Sequence, residues 1–305
     1  MGLGYERRLY ILAFDHRASF SRGMFGIEGE PDSGQTKRIA DAKELIFEGL
    51  VEAAKSGKVA AGDVGVLVDE QFGGEVPRLA REHGMVLAIS VEKSGQDVFD
   101  FEYGDEFGDH IERLDPNLSK VLVRYNADGD ADANRVQRER LKRLADWLHE
   151  RDRRFLFEML VPPTDEQLAS AGGDERRYEA ELRPALIARG IAEAQESGVE
   201  VDVWKLEGVD STGDAERLVR QARSGDGRER VACVLLGAGA DDERVEGWLR
   251  VVAATEGFRG FAIGRSIWRD PLRAWLAGEI ERPAAAQRIA GHYLRFVDVY
   301  ERAAS

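Results

Sequence analysis

Eight short apolar runs recur along the chain, each followed by a longer stretch of helical period, and this alternation constrains the fold more than any other feature. The runs are Leu9 to Asp15, Val64 to Glu70, Met85 to Glu92, Lys120 to Asn126, Phe155 to Leu160, Val201 to Glu207, Val231 to Gly237 and Phe258 to Arg265. Most are rich in Val, Leu, Ile or Phe and have almost no solvated face, as parallel strands covered by helices require. Between them lie helix-period stretches such as TKRIADAKELIFEGLVEAAKSG, ANRVQRERLKRLADWLHERD and YEAELRPALIARGIAEAQESG, several ending in a glycine just past the last periodic position. Eight strand–helix units within 305 residues predict an α/β fold, a closed (β/α)8 TIM barrel, with an open doubly wound sheet as the alternative. No Pro/Ser-rich linker and no break in charge composition divides the chain, so a single barrel domain over residues 1–305 is expected.

Charge and cysteine content narrow the partners. The 43 basic and 57 acidic residues give a net charge of −14, which opposes non-specific binding to nucleic acid or to an anionic membrane. An anionic ligand must therefore meet a local basic cluster. A single cysteine, Cys233, excludes an internal disulfide and a multi-cysteine zinc site. The N-terminal apolar run is broken by Asp15 and Arg17 and is too short for a signal sequence or a membrane span, so a cytoplasmic location is the default expectation. The expected partner is a small molecule, and a homo-oligomer is compatible with the sequence.

In a barrel of this kind the chemistry sits at the C-terminal ends of the strands, and here those ends are unusually polar. They carry Asp15-His16-Arg17, Asp69-Glu70, Glu92-Lys93, Arg124 with Asn126, Glu158, Lys205 with Glu207, Gly237 with Gly239, and Gly264-Arg265. The two-residue period of a strand puts Leu9, Ile11, Ala13 and Asp15 on one face, Leu156, Glu158 and Leu160 on another, and Val201, Val203, Lys205 and Glu207 on a third. If those faces point inward, Asp15, Glu158 and Lys205 converge at the barrel mouth. The chain has only eight lysines, and a lysine in VDVWKLEG is partly desolvated, which favours the neutral, nucleophilic amine needed for a Schiff base. The competing reading of Lys205 is a structural ion pair with Glu158, Glu207 or Asp15. The turns LLGAGA and FAIGRSIW supply Gly237, Gly239 and Gly264 for backbone contacts to a phosphate, with Arg265 as a charged fork.

The segments YILAFDHR, LVDEQFG, VEKSG, FLFEMLVPPT, VDVWKLEG, GAGA and GFAIGRSIW, in that order, resemble the barrel aldolases related to class I tagatose-1,6-bisphosphate aldolase. ILAFDHR followed by SFSRGMFGI is most similar to the aldolase domain fused behind the sugar kinase in some bacterial inositol-degradation proteins. That resemblance implies cleavage of 2-deoxy-5-keto-D-gluconate 6-phosphate to dihydroxyacetone phosphate and malonate semialdehyde, with no cofactor. Position by position it implies Lys205 as the Schiff-base lysine, Glu158 as the strand-five carboxylate and first choice for proton transfer, and Asp15 as the strand-one aspartate. Glu92 falls at the glutamate of the family's EK(S/T)G motif, and Gly237, Gly239, Gly264 and Arg265 fall on the phosphate side. Two departures stand out. His16 replaces a glutamine of the tagatose-type enzymes, and Arg124 replaces a lysine common on strand four; Arg124 or Arg17 is then expected to meet the other anionic end of the substrate.

Other readings remain alongside. Tagatose 1,6-bisphosphate or a sulfosugar phosphate is an alternative substrate. Asp69, Glu70, Glu92, Glu158 and Glu207 form an alternative set of oxygen ligands for a metal-dependent lyase or isomerase, and a non-catalytic sugar-phosphate-binding barrel is the non-enzyme alternative. His83, His149, His292, Trp147, Trp248, Trp275 and Cys233 are expected to serve packing or surface roles. No GxGxxG loop follows the first strand, which disfavours a dinucleotide-binding oxidoreductase.

Overall fold

The computed structural model describes residues 2–304, so Met1 and Ser305, the ends of the expected domain, lie outside the described residues. Eight parallel strands close into a barrel in chain order: β1 (Leu9–Ala13), β2 (Val64–Val68), β3 (Val86–Ser90), β4 (Leu118–Arg124), β5 (Arg154–Leu160), β6 (Val203–Glu207), β7 (Ala232–Leu236) and β8 (Phe258–Ile263). β8 pairs with β1, which excludes the open sheet. All eight apolar runs become strands because each is apolar on both faces, one turned into the barrel and the other under the helices.

The two faces form separate cores. Inside, Leu9, Ile11, Ala13, Leu67, Ala88 and Leu156 belong to a small apolar cluster that fills the lower barrel. Outside, the opposite parity, including Tyr10, Leu12, Phe157, Trp204 and Cys233, packs in the large shell beneath the helices. The inward faces of β1, β5 and β6 are therefore the ones expected. Above the apolar plug the same parity brings polar side chains to the mouth: the register sets Glu158 beside Lys205 and Ser90 beside Lys120.

β4 differs from its expected bounds. It begins at Leu118, two residues before Lys120, because Leu118 and Ser119 already pair with β3 and β5. That shift moves Lys120 from the foot of the strand into the barrel. The stretch YEAELRPALIARGIAEAQESG also differs, since it forms two helices, Glu175–Glu181 and Arg183–Glu196, broken at Leu182. Pro184 lacks the N–H that a continuous helix would need there. The segments after β3 and β5 are more ordered than their irregular sequences suggest. The first closes a two-residue antiparallel bridge between Glu92 and Phe101 and then forms the helix Phe107–Leu114. The second starts the helix Asp165–Ser170 with a Thr164–Gln167 capping box. Both segments contribute residues to the mouth of the barrel, as expected of the C-terminal face. Among the described residues no helix is long and apolar enough to cross a membrane.

Candidate active site

A cavity of about 810 Å³ opens at the C-terminal end of the barrel, and every residue singled out for catalysis or binding lines it. Its floor is a chain of buried charges. Lys205, 2% exposed on β6, places Nζ 2.9 Å from Glu158 Oε2 on the neighbouring strand β5. The same carboxylate oxygen lies 3.1 Å from Lys120 Nζ, contributed by β4. Lys120 also reaches Asp15 Oδ2 at 2.7 Å and Glu92 Oε1 at 2.8 Å, and Ser90 Oγ donates to Asp15 Oδ2 at 2.8 Å. Burying this many charges is tolerable only because the ammonium groups are paired, Lys120 with three carboxylates and Lys205 with Glu158.

Lys120 is thus the hub of the site, and the sequence reading missed it. Arg124, expected to meet the far anionic end of the substrate, stands exposed at the rim, with Nη1 donating to the Gln96 carbonyl at 3.1 Å. The signal was available: Lys120, Leu122 and Arg124 share the inward face of β4, and lysine is scarce in this chain. The run expected over Lys120 to Asn126 begins two residues late, at the lysine itself, which hides its depth in the strand.

The electrostatics follow from the hub. Burial opposes charge on Lys120, but Asp15, Glu158 and Glu92 more than offset it and hold the ammonium well above the ordinary lysine value. Burial also opposes ionisation of Asp15 and Glu158, yet Lys120 and Lys205 hold both below the usual carboxylate range. Glu92 behaves differently. Burial outweighs Lys120 and Arg17 and pushes its carboxyl up. Its Oε2 is buried and meets no hydrogen-bond partner among the described residues.

His16 lines the cavity next to Asp15, its ring edge-on to Trp268 at 6.0 Å between centroids. Burial, with Arg265 and Lys205 adding to it against Asp15, pushes the imidazole down to about 4, so it is neutral at pH 7. Arg17 lines the same wall, but its guanidinium is engaged: Nη1 donates to Glu102 at 2.9 Å and Nη2 to the Glu92 carbonyl at 2.5 Å. Arg17 therefore braces the β3 end, whereas Arg22, Lys93 and Arg124 are exposed cations lining the cavity.

Across the mouth, the turn after β7 and the start of the helix Arg265–Leu276 after β8 line the cavity together. The helix begins at Gly264 with no side-chain cap, so its first N–H groups face the cavity. Gly264 is required by a close approach, since a Cβ there would stand 2.2 Å from the Ala13 carbonyl oxygen. Ala238 and Gly239 both adopt left-handed backbone, at φ 49° and 76°, and turn this loop over the cavity beside Arg265. A non-glycine in that conformation is strained, a feature common at ligand-binding turns.

The alternative oxygen-ligand set does not converge. Asp69 pairs with Lys43 and caps the short helix Glu70–Gly73, Glu70 contacts His110 and Arg113, and Glu207 faces Arg183 and the Val161 N–H. Among the described residues no three His, Cys, Asp or Glu side chains are grouped to hold a metal ion. The point enclosed by Asp15, Glu92 and Glu158 is taken by Lys120 Nζ. Of the residues expected in supporting roles, Cys233 and Trp248 are core, and His149 and His292 bond Asp202 and the Ile267 carbonyl.

Comparison with known proteins agrees with the barrel fold. Residues 5–304 match a family described as "Uncharacterized protein conserved in bacteria (DUF2090)". Tagatose 1,6-diphosphate aldolase 2 from Streptococcus pyogenes serotypes M1 and M18 is 25% identical over 305 residues, covering 93% of this chain and 86% of the relative. Among solved structures, fructose-bisphosphate aldolase from Plasmodium falciparum superposes with a TM-score of 0.67 at 14% identity, over 98% of this chain and 91% of that one. A protein from Corynebacterium glutamicum superposes with a TM-score of 0.60 at 17% identity, over 96% and 88%. At these identities the structures speak to the barrel fold alone.

Proposed function

The chain belongs to the DUF2090 family, and we propose that it is a carbon–carbon lyase, a class I aldolase that cleaves a phosphorylated ketose through a Schiff base on Lys205. The observation that carries this reading is Lys205 itself, buried at the floor of an open cavity with Nζ 2.9 Å from Glu158. The relationship to tagatose 1,6-diphosphate aldolases supports it.

In this mechanism the substrate phosphate rests on Gly237, Gly239, the N-terminus at Gly264 and Arg265. The ketone carbon then lies over Lys205, whose amine attacks it. Glu158, shared between Lys205 and Lys120, moves protons as the carbinolamine loses water and the iminium forms. Asp15, fixed by Lys120 and Ser90, aligns substrate hydroxyls, and neutral His16 offers a hydrogen bond without adding charge. The iminium accepts the electron pair of the breaking carbon–carbon bond. Hydrolysis of the enamine after protonation releases dihydroxyacetone phosphate.

The aldehyde half extends toward Lys93 and Arg124, which suit an anionic end. We assign the substrate as 2-deoxy-5-keto-D-gluconate 6-phosphate, releasing malonate semialdehyde, with tagatose 1,6-bisphosphate as the second reading because of the streptococcal relatives. The deciding experiment is borohydride reduction with dihydroxyacetone phosphate in the presence of a chelator, followed by peptide mass spectrometry, and then cleavage assays on both ketose phosphates. An adduct on Lys205, absent from Lys205→Met, is the expected result. A protein that binds dihydroxyacetone phosphate but yields no adduct would overturn the Schiff-base assignment.

A further inference from the structure

Strand order fixes the direction in which a substrate lies. The proposed phosphate site belongs to β7 and β8, and Lys205 to β6; β3 and β4 stand on the opposite side of an eight-stranded barrel. A ketose phosphate anchored there and bonded to Lys205 therefore sends its remaining carbons across the floor toward β3 and β4. The hydroxyl that must lose its proton when the bond breaks is on the carbon β to the imine, one bond beyond the carbon that remains with Lys205. It falls on the Lys120 and Glu92 side.

Three carboxylates surround Lys120, and they are not equivalent. Glu158 Oε2 is held by two ammonium groups and Asp15 Oδ2 by an ammonium and a hydroxyl, and neither residue has a buried oxygen left without a partner among the described residues. Glu92, a residue of the cavity lining, is anchored through Oε1 to Lys120 at 2.8 Å and through its carbonyl to Arg17 at 2.5 Å, while its Oε2 is buried and has no hydrogen-bond partner among the described residues. A buried carboxylate oxygen with nothing to accept from is costly unless a ligand supplies the donor.

Building on the Schiff-base reading, we propose that Glu92, and not Glu158, is the catalytic base of carbon–carbon cleavage, taking the proton of the hydroxyl β to the imine through Oε2. As that proton moves to Glu92, the O–H electron pair becomes the carbonyl π bond of the departing aldehyde. The bond between the α and β carbons breaks, and its pair flows into the iminium to leave an enamine on Lys205 and a neutral Glu92. Condensation runs the same transfer backward, with Glu92 returning the proton to the new hydroxyl. Lys120, beside Oε1, steadies the alkoxide character that develops in between. The upward push of burial on Glu92 makes it the stronger base of the three. Glu158 keeps the work on the Lys205 side: imine formation and proton exchange at the α carbon.

The test separates these two jobs. With wild type and Glu92→Gln, three quantities are measured: the borohydride-trapped dihydroxyacetone phosphate adduct on Lys205, deuterium exchange at the α carbon of dihydroxyacetone phosphate in D2O, and its consumption with malonate semialdehyde or glyceraldehyde 3-phosphate. We expect adduct and exchange in Glu92→Gln within about threefold of wild type, and condensation reduced about 100-fold or more, the span of a lost general base. Glu92→Asp should recover part of the condensation. Condensation within tenfold of wild type overturns the proposal, and so does a parallel loss of all three readouts, which marks a structural role. A wild-type protein that forms no adduct fails on the underlying reading instead, before the variant enters. Adduct without condensation of either aldehyde also overturns the Glu92 assignment, since no aldol step remains for it to serve.

Discussion

Lys43 and Lys120 are both sealed from solvent, at 0% and 1% exposure, yet their surroundings differ in kind. Lys43 projects from the helix Ser33–Lys55 to the outside of the barrel, where Nζ meets Asp69 and the His16 carbonyl at 3.0 Å. The rings of Phe20 and Phe72 cover it at 5.3 and 5.7 Å. One cation faces one carboxylate in a closed apolar shell. Burial pushes Lys43 down against the pull of Asp69, and nothing there is open to a ligand. Lys120 faces three carboxylates, shares one of them with a second lysine, and borders a cavity. A buried charge by itself marks only a need for a partner. A shared set of charges with an unfilled acceptor and an opening marks a place for chemistry.

The contrast predicts a graded set of failures. Lys120→Met should have the largest effect, because it leaves Asp15, Glu92 and Glu158 mutually repelling around an apolar side chain. Condensation with dihydroxyacetone phosphate is expected to fall at least 100-fold, on the order of a lost acid–base group. Denaturant unfolding should show a stability loss of about 3–5 kcal/mol, as for a broken buried pair. Turnover within tenfold of wild type would remove Lys120 from the centre of the site.

Lys43→Met should cost a similar amount in stability, about 3–5 kcal/mol, by stranding Asp69. Its turnover per folded molecule should stay within threefold, and adding Asp69→Leu should recover part of the stability. A large drop in turnover at full folding would erase the distinction between the two lysines.

The smallest effect belongs to His16→Gln and appears only on acidification. The folded imidazole titrates at about 4, below the value of roughly 6.5 in an unfolded chain. As pH falls through that interval the unfolded state takes up the proton first, so wild type loses stability there and the loss is complete below the folded value. The variant lacks this term. Denaturation midpoints at pH 7 and pH 4.5 should therefore converge on, or favour, His16→Gln at the lower pH, and an unchanged difference would mean that His16 is not held neutral by the fold.

The barrel was legible because its evidence is local and repeated. Each run carries its own apolar pattern, and Leu9, Ile11, Ala13 and Asp15 already display the period that turns Asp15 inward. The same holds for Glu158 and Lys205. Lys120 is absent from the sequence-based site because the boundary of a strand is set by pairing with its neighbours, and Leu118-Ser119 carries a weak apolar signal of its own. Arg17 was read as a free anion binder for a related reason. Its partner Glu102 lies 85 residues away in an acidic segment whose course along the chain does not disclose which side chain it offers.

By itself the sequence determined the eight strands, the period that sets Asp15, Glu158 and Lys205 each in line with apolar neighbours, and the glycines of the turns after β7 and β8. These depend on side-chain period and backbone stereochemistry, which act over a few residues. Only the closed barrel decided which faces turn inward, which charges meet, that Lys120 is the hub, that Glu92 Oε2 is buried without a partner among the described residues and that the Arg17 guanidinium is engaged. Those outcomes depend on distances between strands far apart in the chain, and on how much water the barrel leaves between them, which pattern along the chain does not encode.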